Sequence, residues 1–373
     1  MRAVTIDDGR NRLPMPEHIL ITGGAGFVGS TIALVLRERY PHAKITAFDN
    51  LKRRGSELNL ARLRAAGVHF VHGDVRSKED LAGLTTVDLV IECSAEPSVL
   101  AGYGGSPEYL INTNLFGCFQ CLELARRDGA GFIFVSTSRV YPIAKLRELA
   151  IDESDTRFNL APEQSVAGAS AFGIAESFPM EGSRSLYGMT KFAAELMVAE
   201  YGAAYGLRTV INRCGLIAGP WQMGKTDQGV IVHWMAAHYF RMNLRYIGFN
   251  GSGKQVRDLL AIEDLCDLVI DQIENPDAYE AGCFNVGGGA EGSLSLLEMT
   301  AMCAEITGNT IQVGIDPQER PADIPLYISD SRKVGAIRGW QPRRDPRIVL
   351  SGIAEWIRVN ETQLRPIFAA AVT

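Results

Sequence analysis

The chain contains 373 residues, of which 46% are apolar and 21% are charged. This composition excludes a disordered or low-complexity chain, and the length predicts two lobes, or one large α/β domain with a smaller one appended. The net charge of −6 and the absence of a long basic run argue against nucleic acid as a partner. No stretch approaches the roughly 20 apolar residues that cross a bilayer, so we expect no membrane partner.

Cysteine usage predicts the redox compartment. The chain has seven cysteines, an odd number, and they are scattered along the sequence. A chain of this length does not need disulfides, so we interpret the cysteines as reduced thiols. The first 16 residues are polar and lack the apolar core of a signal peptide. We therefore expect a soluble protein of the cytoplasm.

Short apolar runs alternate with amphipathic stretches through the first part of the chain. After a tail at residues 1–17, strands are predicted at 18–21, 44–48, 68–71, 87–91, 131–135 and 208–211. Helices are predicted at 27–40, 57–66, 78–84, 109–127 and 187–205. This alternation predicts a Rossmann-type α/β fold, a doubly wound parallel sheet with helices on both faces.

The remainder of the chain has a less regular pattern. Residues 142–185 are rich in Ala, Gly, Ser and Pro, which predicts a long loop-like insertion, and such loops are usually functional. Beyond Pro220, helices are expected at 230–243, 263–273, 296–307 and 346–359. We therefore divide the chain into a sheet domain at 18–219 and a smaller, mixed α+β substrate lobe at 220–373, with segments free to cross between them.

The first predicted strand runs into a glycine-rich turn and then a helix. Gly23 suits a tight turn, Gly26 lets backbone N–H groups approach a pyrophosphate, and Gly29 lets the helix pack on the strand. Asp49 lies twenty residues beyond Gly29, at the end of the second strand, where a dinucleotide fingerprint has its acid. This context favours a cofactor site over a purely structural turn. The residues assigned to it here are Gly23, Gly26, Phe27, Val28 and Asp49.

The acid at the end of the second strand indicates whether the cofactor is NAD or NADP. A carboxylate at Asp49 can accept both ribose hydroxyls of NAD, and it would repel the 2′-phosphate of NADP. Lys52, Arg53 and Arg54 follow, and a basic cluster there could hold NADP, but we interpret it as a solvated loop and expect NAD. Asp74, after the third strand, would sit beside the adenine, with an ordinary strand-end turn as the alternative. Asn50, Arg53, Asp74 and Val75 complete this part of the predicted cofactor site.

A tyrosine and a lysine mark the predicted reaction centre. Tyr187 and Lys191 lie one helical turn apart on one helix face. A free tyrosine titrates near pKa ~10, and a nearby ammonium together with the positive nicotinamide favours its phenolate. The fifth strand ends in hydroxyls at residues 136–138, at the sheet edge where α/β proteins bind ligands. Alone, the pair would be a surface helix pair; beside the dinucleotide fingerprint it predicts catalysis.

These elements together resemble the extended short-chain dehydrogenase/reductase family, and specifically its nucleotide-sugar epimerases, from about residue 18 to residue 357. More closely, the chain looks like the CDP-paratose (CDP-tyvelose) 2-epimerase branch. The segments that carry the branch resemblance are Phe48-Asp49-Asn50-Leu51 with Arg53 and Gly55, Asp227-Gln228-Gly229, residues 251–258, and residues 284–288.

The resemblance implies roles for single residues around the reacting carbon and the cofactor. Tyr187 would be the acid/base, and Lys191 its partner, which could also hold the nicotinamide ribose. Thr137 falls where the family keeps its catalytic Ser or Thr. Asn114, in an NxxG motif, would tie strands together near the cofactor. The backbone after the fourth strand would contact the cofactor at Ser94, Ala95 and Glu96.

The family resemblance also implies residues that bind the pyrophosphate of the substrate. Arg257 and Arg320 match arginines that hold the pyrophosphate of a sugar nucleotide, a task that suits a bidentate guanidinium. Each arginine taken alone would equally well be a surface ion pair. Gln228 is placed with them as a substrate-binding residue.

The residues after Thr137 separate the subclasses of the family. Its dehydratases follow this threonine with Asp-Glu, whereas Ser138 and Arg139 follow here, which disfavours a dehydratase. Arg139 also disfavours the decarboxylases, which have a Glu there, and the 3,5-epimerases, which have a Cys. Leu216 replaces an Asn that many 4-epimerases use on the substrate phosphates, and Pro142 replaces the usual Gly.

The implied reaction is a redox-neutral epimerisation. Tyr187 takes a hydroxyl proton while NAD takes hydride from the same carbon; the ketone then presents its other face and hydride returns. The branch resemblance places the chemistry at C2 of a CDP-linked deoxyhexose. Three alternatives stay open: a UDP-sugar 4-epimerase, a net NAD(P)-dependent dehydrogenase or reductase of a nucleotide sugar, and a catalytically silent NAD-binding protein. The intact Thr137, Tyr187 and Lys191 argue against the last.

Cysteine, histidine and tryptophan residues give weaker signals. Cys118 and Cys121 have the spacing of a redox or zinc pair, but no second pair lies nearby and we expect core thiols. The six histidines show no ligand spacing, so we predict no metal. Trp221, His233 and Trp234 would either line the sugar pocket or pack in the core.

Two of the predicted helices indicate the oligomeric state of the protein. Those at 109–127 and 187–205 are apolar on more than one face. In the family that the chain resembles, two such helices pair with their mates as a four-helix bundle. We therefore expect a homodimer.

Overall fold

The structure, a computed structural model, describes residues 15–224 and 228–369. Most of the predicted tail at 1–17 therefore lies outside the described residues. The strands are β1 His18–Thr22, β2 Lys44–Asp49, β3 His69–His72, β4 Leu89–Glu92, β5 Gly131–Thr137, β6 Ile151–Glu153, β7 Phe158–Leu160, β8 Ala169–Ser170, β9 Gly173–Ile174, β10 Thr209–Cys214, β11 Leu216–Ala218, β12 Leu244–Ile247, β13 Val256–Ala261, β14 Gly282–Val286, β15 Ser293–Ser295, β16 Val313–Asp316 and β17 Leu326–Tyr327.

The predicted helices are present, with shifts at their ends. No helix in the described part of the chain is long and apolar enough to cross a membrane. The α-helices are α1 Phe27–Arg39, α2 Asn59–Ala65, α3 Lys78–Ala82, α4 Glu108–Ile111, α5 Gly117–Asp128, α6 Ile143–Arg147, α7 Leu186–Tyr205, α8 Val230–Phe240, α9 Ile262–Glu274, α10 Pro276–Tyr279, α11 Leu296–Thr307, α12 Arg332–Arg338, α13 Pro346–Val359 and α14 Glu361–Ala369.

The central sheet is parallel and, over the described residues, has seven strands in the order β14-β10-β5-β4-β1-β2-β3. Its middle strands β1 and β4 are buried along their whole length, as expected for apolar runs covered on both faces. The chain runs outward from β1 through β2 and β3, then resumes on the other side of β1 with β4. Ligands bind in the crevice beyond the strand ends at such a reversal.

Helices cover both faces of this sheet. Helices α1 and α9 bury Leu36 and Val269 on one face, and helices α5 and α7 bury Leu122 and Val198 on the other. The prediction of a doubly wound α/β fold is confirmed. Both β14 and α9 come from beyond residue 220, so the C-terminal part of the chain contributes an edge strand and a covering helix to the large sheet.

The rest of the C-terminal part forms the smaller lobe. Strands β11, β13, β15 and β17 make a second, mixed sheet. Helices α8, α11, α13 and α14 pack around a separate apolar core that includes Trp234, Met299, Ile353 and Phe368. This is the α+β character that the sequence pattern predicted.

The prediction of a loop-like insertion at residues 142–185 is wrong. The segment contains α6 and the hairpins β6-β7 and β8-β9, and it has a small apolar core around Tyr141, Leu146 and Phe178. Its backbone also bonds to the second lobe, where Ile174 N donates to Ile328 O at 2.8 Å. The apolar residues of this segment are spaced too irregularly to indicate one long helix or strand. They nevertheless pack into a common core, because the second lobe covers them.

A buried ion pair fixes α7 against the sheet. Glu195 on α7 accepts hydrogen bonds from Arg213 on β10, at 3.0 Å from Nε and 2.7 Å from Nη2. The Ser136 hydroxyl on β5 donates to the same carboxylate. Arg213 also donates to the Tyr141 hydroxyl at 3.2 Å, which connects the pair to the 142–185 segment. The network ties two strands, one helix and the insertion at a single point.

Candidate active site

The glycine-rich turn after β1 is closely packed. Gly23 has φ +62°, and a Cβ there would stand 2.8 Å from the carbonyl oxygen of Cys93. A Cβ at Gly29 would stand 2.3 Å from the carbonyl oxygen of Gly23. Sequence reasoning missed Gly24, whose Cβ would lie 2.6 Å from the Cα of Ala47, because spacing along the chain does not reveal a neighbouring strand. Helix α1 has no side-chain cap, which leaves N–H groups of its first turn for an anion.

Asp49 holds this turn from the end of β2. Its carboxylate accepts hydrogen bonds from Ala25 N at 3.1 Å and from Leu51 N at 2.7 Å. Burial raises the pKa of Asp49 above its ordinary value, while these N–H groups and that of Gly26 act in the opposite direction. The carboxylate therefore adjoins the turn predicted to receive the pyrophosphate, as a dinucleotide site requires.

Next to Asp49, a cleft of about 280 Å³ opens among Asn50, Asp74 and neighbouring side chains. Asn50 Nδ2 donates to Asp74 Oδ2 at 2.9 Å, and Arg76 pairs with Asp74 at 2.7 Å. The hydrogen bonds from Arg76 lower the pKa of Asp74 to about 2, so it is ionised at neutral pH. Val75 differs from its neighbours because its side chain is buried in the sheet core.

The interpretation of Lys52, Arg53 and Arg54 as a solvated loop is wrong for the middle residue. Lys52 and Arg54 are exposed, but Arg53 is half-buried and donates to Met223 O at 2.6 Å and to the Gln228 side chain. Gln228 in turn donates to Glu96 Oε1 at 3.0 Å. Three predicted site residues, from the segment after β2, the loop after β4 and the second lobe, thus meet in one hydrogen-bonded chain. Asp227, named with Gln228 in the sequence motif, lies outside the described residues.

Asn114 links the loop after β4 to α7. Its Oδ1 accepts from Glu96 N at 2.7 Å, and its Nδ2 donates to Glu96 O at 3.1 Å and to the Thr190 hydroxyl at 3.2 Å. Asn114 stands in a π-helical turn, Asn112–Phe116, between α4 and α5. Such turns are frequent at functional sites, and this one brings the amide to the backbone around Ser94 and Ala95.

The three predicted catalytic residues converge at the carboxyl edge of the sheet. Thr137 ends β5, and it is among the groups that act on the Tyr187 phenol in the first turn of α7. Lys191 follows one turn later, and both Tyr187 and Lys191 are buried. Gly188 permits this approach, because a Cβ there would stand 2.2 Å from the carbonyl oxygen of Arg139.

Burial and charge act in opposite directions on the phenol. Burial raises the pKa of Tyr187 above 10, and the charge of Lys191, the hydrogen bond of Thr137 and the charge of Arg139 partly offset it. Sequence reasoning used Arg139 only to exclude subclasses and missed it as a neighbour of Tyr187. Lys191 Nζ also lies 3.8 Å from the buried carboxylate of Glu92, another residue that sequence reasoning missed.

The predicted substrate arginines lie near one turn of the second lobe, which contains Asp323. Arg257 donates to Asp323 Oδ1 at 3.1 Å and to Ile324 O at 2.8 Å, and Arg320 begins the turn that carries Asp323. Arg139 donates to Ala322 O in this turn at 3.3 Å. Burial, and then the charge of Arg139, lowers the pKa of Arg257 to about 10. Two half-buried guanidiniums thus lie near the single carboxylate of Asp323, which leaves positive charge for an anionic ligand.

The weaker candidates have structural roles. Cys118 and Cys121 are buried, so the prediction of core thiols is confirmed. Trp234 packs in the core of the second lobe and donates to Thr300 at 2.9 Å. Trp221 stacks on the guanidinium of Arg62 with 4.0 Å between the ring centroid and Cζ. The core alternative therefore holds for Trp234, while Trp221 is half-buried and packs against the edge of the same core.

Comparison with known proteins agrees with this geometry. The model of the NAD dependent epimerase/dehydratase family matches residues 19–287. CDP-paratose 2-epimerase of Salmonella typhi is 29% identical over 346 residues, covering 91% of this chain and 98% of its own. Among solved structures, UDP-glucose 4-epimerase of Thermotoga maritima superposes with a TM-score of 0.74 at 24% identity, covering 92% of this chain and 99% of its own. DesIV, a dTDP-glucose 4,6-dehydratase of Streptomyces venezuelae with NAD bound, gives 0.75 at 25% identity, covering 94% and 99%.

The close packing of the glycine-rich turn predicts that adding one methyl group at Gly29 weakens both NAD binding and stability. Gly29→Ala should weaken NAD binding at least about tenfold, because the new Cβ forces α1 away from the turn. It should also lower the free energy of unfolding by about 1–3 kcal/mol through overpacking. The NAD that remains bound after exhaustive dialysis against a range of NAD concentrations measures the first effect, and chemical denaturation measures the second.

Gly352→Ala is the matched control, since Gly352 lies within helix α13 and a Cβ there meets no atom within 4 Å. It should leave NAD binding unchanged and the protein as stable or slightly more stable. Equal NAD affinity in Gly29→Ala and the parent would contradict the assignment of this turn to the cofactor.

Proposed function

The chain belongs to the NAD dependent epimerase/dehydratase family, and we propose that it epimerises a nucleotide-diphosphate sugar with a tightly bound NAD. The proposed substrate is a CDP-linked deoxyhexose, and the proposed position is C2. The similarity to CDP-paratose 2-epimerase over nearly the full length of both chains supports this choice. The observation that carries it is a site with one acid/base group, Tyr187, beside a cation at Arg139.

NAD, when bound, supplies the hydride chemistry, and the residues of the chain supply the proton and the geometry. Tyr187 takes the proton of the reacting hydroxyl and returns it to the ketone oxygen from the same phenol. The Thr137 hydroxyl holds that oxygen and the phenol together. Because burial alone keeps Tyr187 neutral, the phenolate needs the positive charges of Lys191, Arg139 and the nicotinamide.

The second lobe would orient the substrate. Arg257 and Arg320 would hold the diphosphate, and Gln228 would close the site between Arg53 and Glu96. Arg139 stands where a second acid/base would be needed for water elimination, and a guanidinium cannot exchange a proton at neutral pH. Rotation of a flat ketone between two hydride transfers needs a single acid/base, which this site has.

The proposal predicts what the purified protein carries and converts. Denaturation and mass spectrometry should release about one NAD per chain, because a hydride that is borrowed and returned does not require cofactor exchange. Incubation with CDP-paratose should give its C2 epimer without accumulation of NADH, measured by NMR and by absorbance at about 340 nm. Conversion of UDP-glucose to its C4 epimer instead would replace the proposed C2 specificity. Accumulation of NADH would replace the epimerase by a net dehydrogenase.

Tyr187→Phe tests the acid/base. Turnover should fall about 10²–10⁴-fold, because the proton has no other acceptor of suitable geometry. The released NAD should remain at the parent level, since the phenyl ring still fills the site. Tyr201→Phe is the control on the same helix: it removes a hydrogen bond to Glu123 and should cost about 1 kcal/mol of stability without affecting turnover. Undiminished turnover in Tyr187→Phe would contradict the mechanism.

We also propose that the protein is a homodimer through the outer faces of α5 and α7. Phe116, at the start of α5, and Leu196, on α7, are 53% and 55% exposed. Phe119 and Phe192 beside them are half-buried. Large apolar side chains clustered on two adjacent helices are typical of a subunit interface. A two-fold axis there would form the four-helix bundle that the family resemblance implies.

Leu196→Glu should convert the dimer to a monomer, because the carboxylate would be buried opposite its own copy. Analytical ultracentrifugation over a range of protein concentrations measures the change. Ile348→Glu is the control, because Ile348 on α13 is 54% exposed and lies away from this face. A chain that sediments as a monomer before substitution, or a dimer that survives Leu196→Glu, would overturn the proposed interface.

A cytoplasmic location completes the proposal. All seven cysteines are free thiols, and five of them are buried. Free thiols persist in the reducing cytosol, whereas oxidising compartments favour disulfides.

A further inference from the structure

A buried carboxylate lies beneath the catalytic lysine. Glu92 is the last residue of β4, and its side chain is 2% exposed. It is in register with Thr22 of β1 and Phe134 of β5. Because side chains alternate along a strand, Glu92 points to the same face as Val90, which packs with α5 and α7. The carboxylate is therefore enclosed between the sheet and the helix that carries Tyr187 and Lys191.

The two oxygens of Glu92 have different surroundings. Oε1 accepts a hydrogen bond from Ser94 N at 2.9 Å and lies 3.5 Å from the Thr22 hydroxyl, which donates to it. Oε2 has no hydrogen-bond partner among the described residues, and the Lys191 ammonium lies 3.8 Å away. The surroundings therefore suit a carboxylate whose charge is matched by Lys191.

Lys191 has equally little contact with solvent. Its side chain is 2% exposed, and Nζ lies 3.9 Å from the centroid of the Phe134 ring. An ammonium in such a place is strongly disfavoured unless an opposite charge accompanies it. Glu92 supplies that charge from the sheet side, while Tyr187 lies one turn away on the helix.

The thiols around the pair are neutral, on β10 as well as near β4 and on α5, and burial raises the pKa of Cys214 on β10 to about 12. Burial raises the pKa of the Cys93, Cys118 and Cys121 thiols well above their ordinary value, and the charge of Glu92 adds to the effect. Burial also raises the pKa of Glu92, and the charge of Lys191 opposes this. The state of Glu92 and the state of Lys191 therefore depend on each other.

We propose that Glu92 is a positioning residue for the reaction: it holds the Lys191 ammonium charged and in place beside Tyr187. The proposal rests on the acid/base role of Tyr187 in the proposed function. Without Glu92 the ammonium would be buried without a counter-ion, and it would give up its proton more readily. The phenolate of Tyr187 would then lose the cation that favours it most.

Glu92→Gln tests this, because it removes the charge and keeps the shape. In the protein labelled with ¹³C at the lysine ε carbon, Lys191 can be assigned through the loss of its signal in Lys191→Arg. In Glu92→Gln the Lys191 signal should change from the ammonium to the amine form at lower pH than in the parent, because the counter-ion is gone. The alkaline limb of the kcat profile should move in the same direction, with kcat at neutral pH reduced about tenfold and KM little changed.

Asp264→Asn is the matched control. Asp264 is a buried carboxylate on α9, which covers the other face of the sheet, and its partner is Arg344. Its loss should destabilise the protein and leave the Lys191 titration in place. A Lys191 titration that is the same in Glu92→Gln and the parent, or equally shifted in both variants, would overturn the proposal.

A second set of measurements tests the proposal if the Glu92→Gln variant does not fold. Glu92→Asp keeps the charge on a shorter side chain, and Glu92 in the parent can be followed by ¹³C at its carboxyl carbon. We expect an ionised Glu92 at neutral pH and a Lys191 titration in Glu92→Asp close to that of the parent. A protonated Glu92 at neutral pH would overturn the proposal. If only the epimerisation assay failed, the proposed function would be refuted. The titrations would still decide whether Glu92 keeps Lys191 charged.

Discussion

The buried ion pair between Glu195 and Arg213 determines where α7, the helix that carries Tyr187 and Lys191, lies against the sheet. It joins α7 to β10, and the hydroxyls of Ser136 and Tyr141 extend it to β5 and to the 142–185 segment. Burial removes both charges from water, so neither group can leave the other without a large cost in free energy. Helix α7 is therefore held at one height against the sheet. Tyr187 and Lys191, two turns and one turn before Glu195, take their positions from this constraint.

The cofactor turn depends on contact distances of a different kind. Gly23, Gly24 and Gly29 allow β1, β2 and α1 to approach more closely than any side chain would permit. Asp49 then joins the end of β2 to the turn through Ala25 N. The reversal of strand order between β1 and β4 opens the crevice at this point, so the phosphate turn and the loop carrying Glu96 border the same space. Gln228 and Arg53 connect that space to the second lobe.

The charges of the site are arranged around one neutral phenol. Lys191 and Arg139 both favour the phenolate of Tyr187, while burial opposes it. Each cation has an anionic neighbour, Glu92 for Lys191 and Asp323 for Arg139. The catalytic turn after β5 reaches the Asp323 turn through the hydrogen bond of Arg139 to Ala322. The second lobe is in this way connected to the charges around Tyr187.

The sequence by itself determined the sheet, the glycine turn, the acid at Asp49 and the Thr137, Tyr187 and Lys191 set, because strand–helix alternation and fixed spacings are properties of the chain alone. It could not reveal Glu92, whose meaning depends on a lysine 99 residues away, or Arg53, whose partners Met223 and Gln228 lie on another lobe. The ordered core of residues 142–185 was hidden for the same reason, since it forms only against the second lobe. Local periodicity determines which helices and strands exist. Tertiary packing decides which charges and apolar surfaces that are distant in sequence pair with each other, because burial gives those contacts their energy.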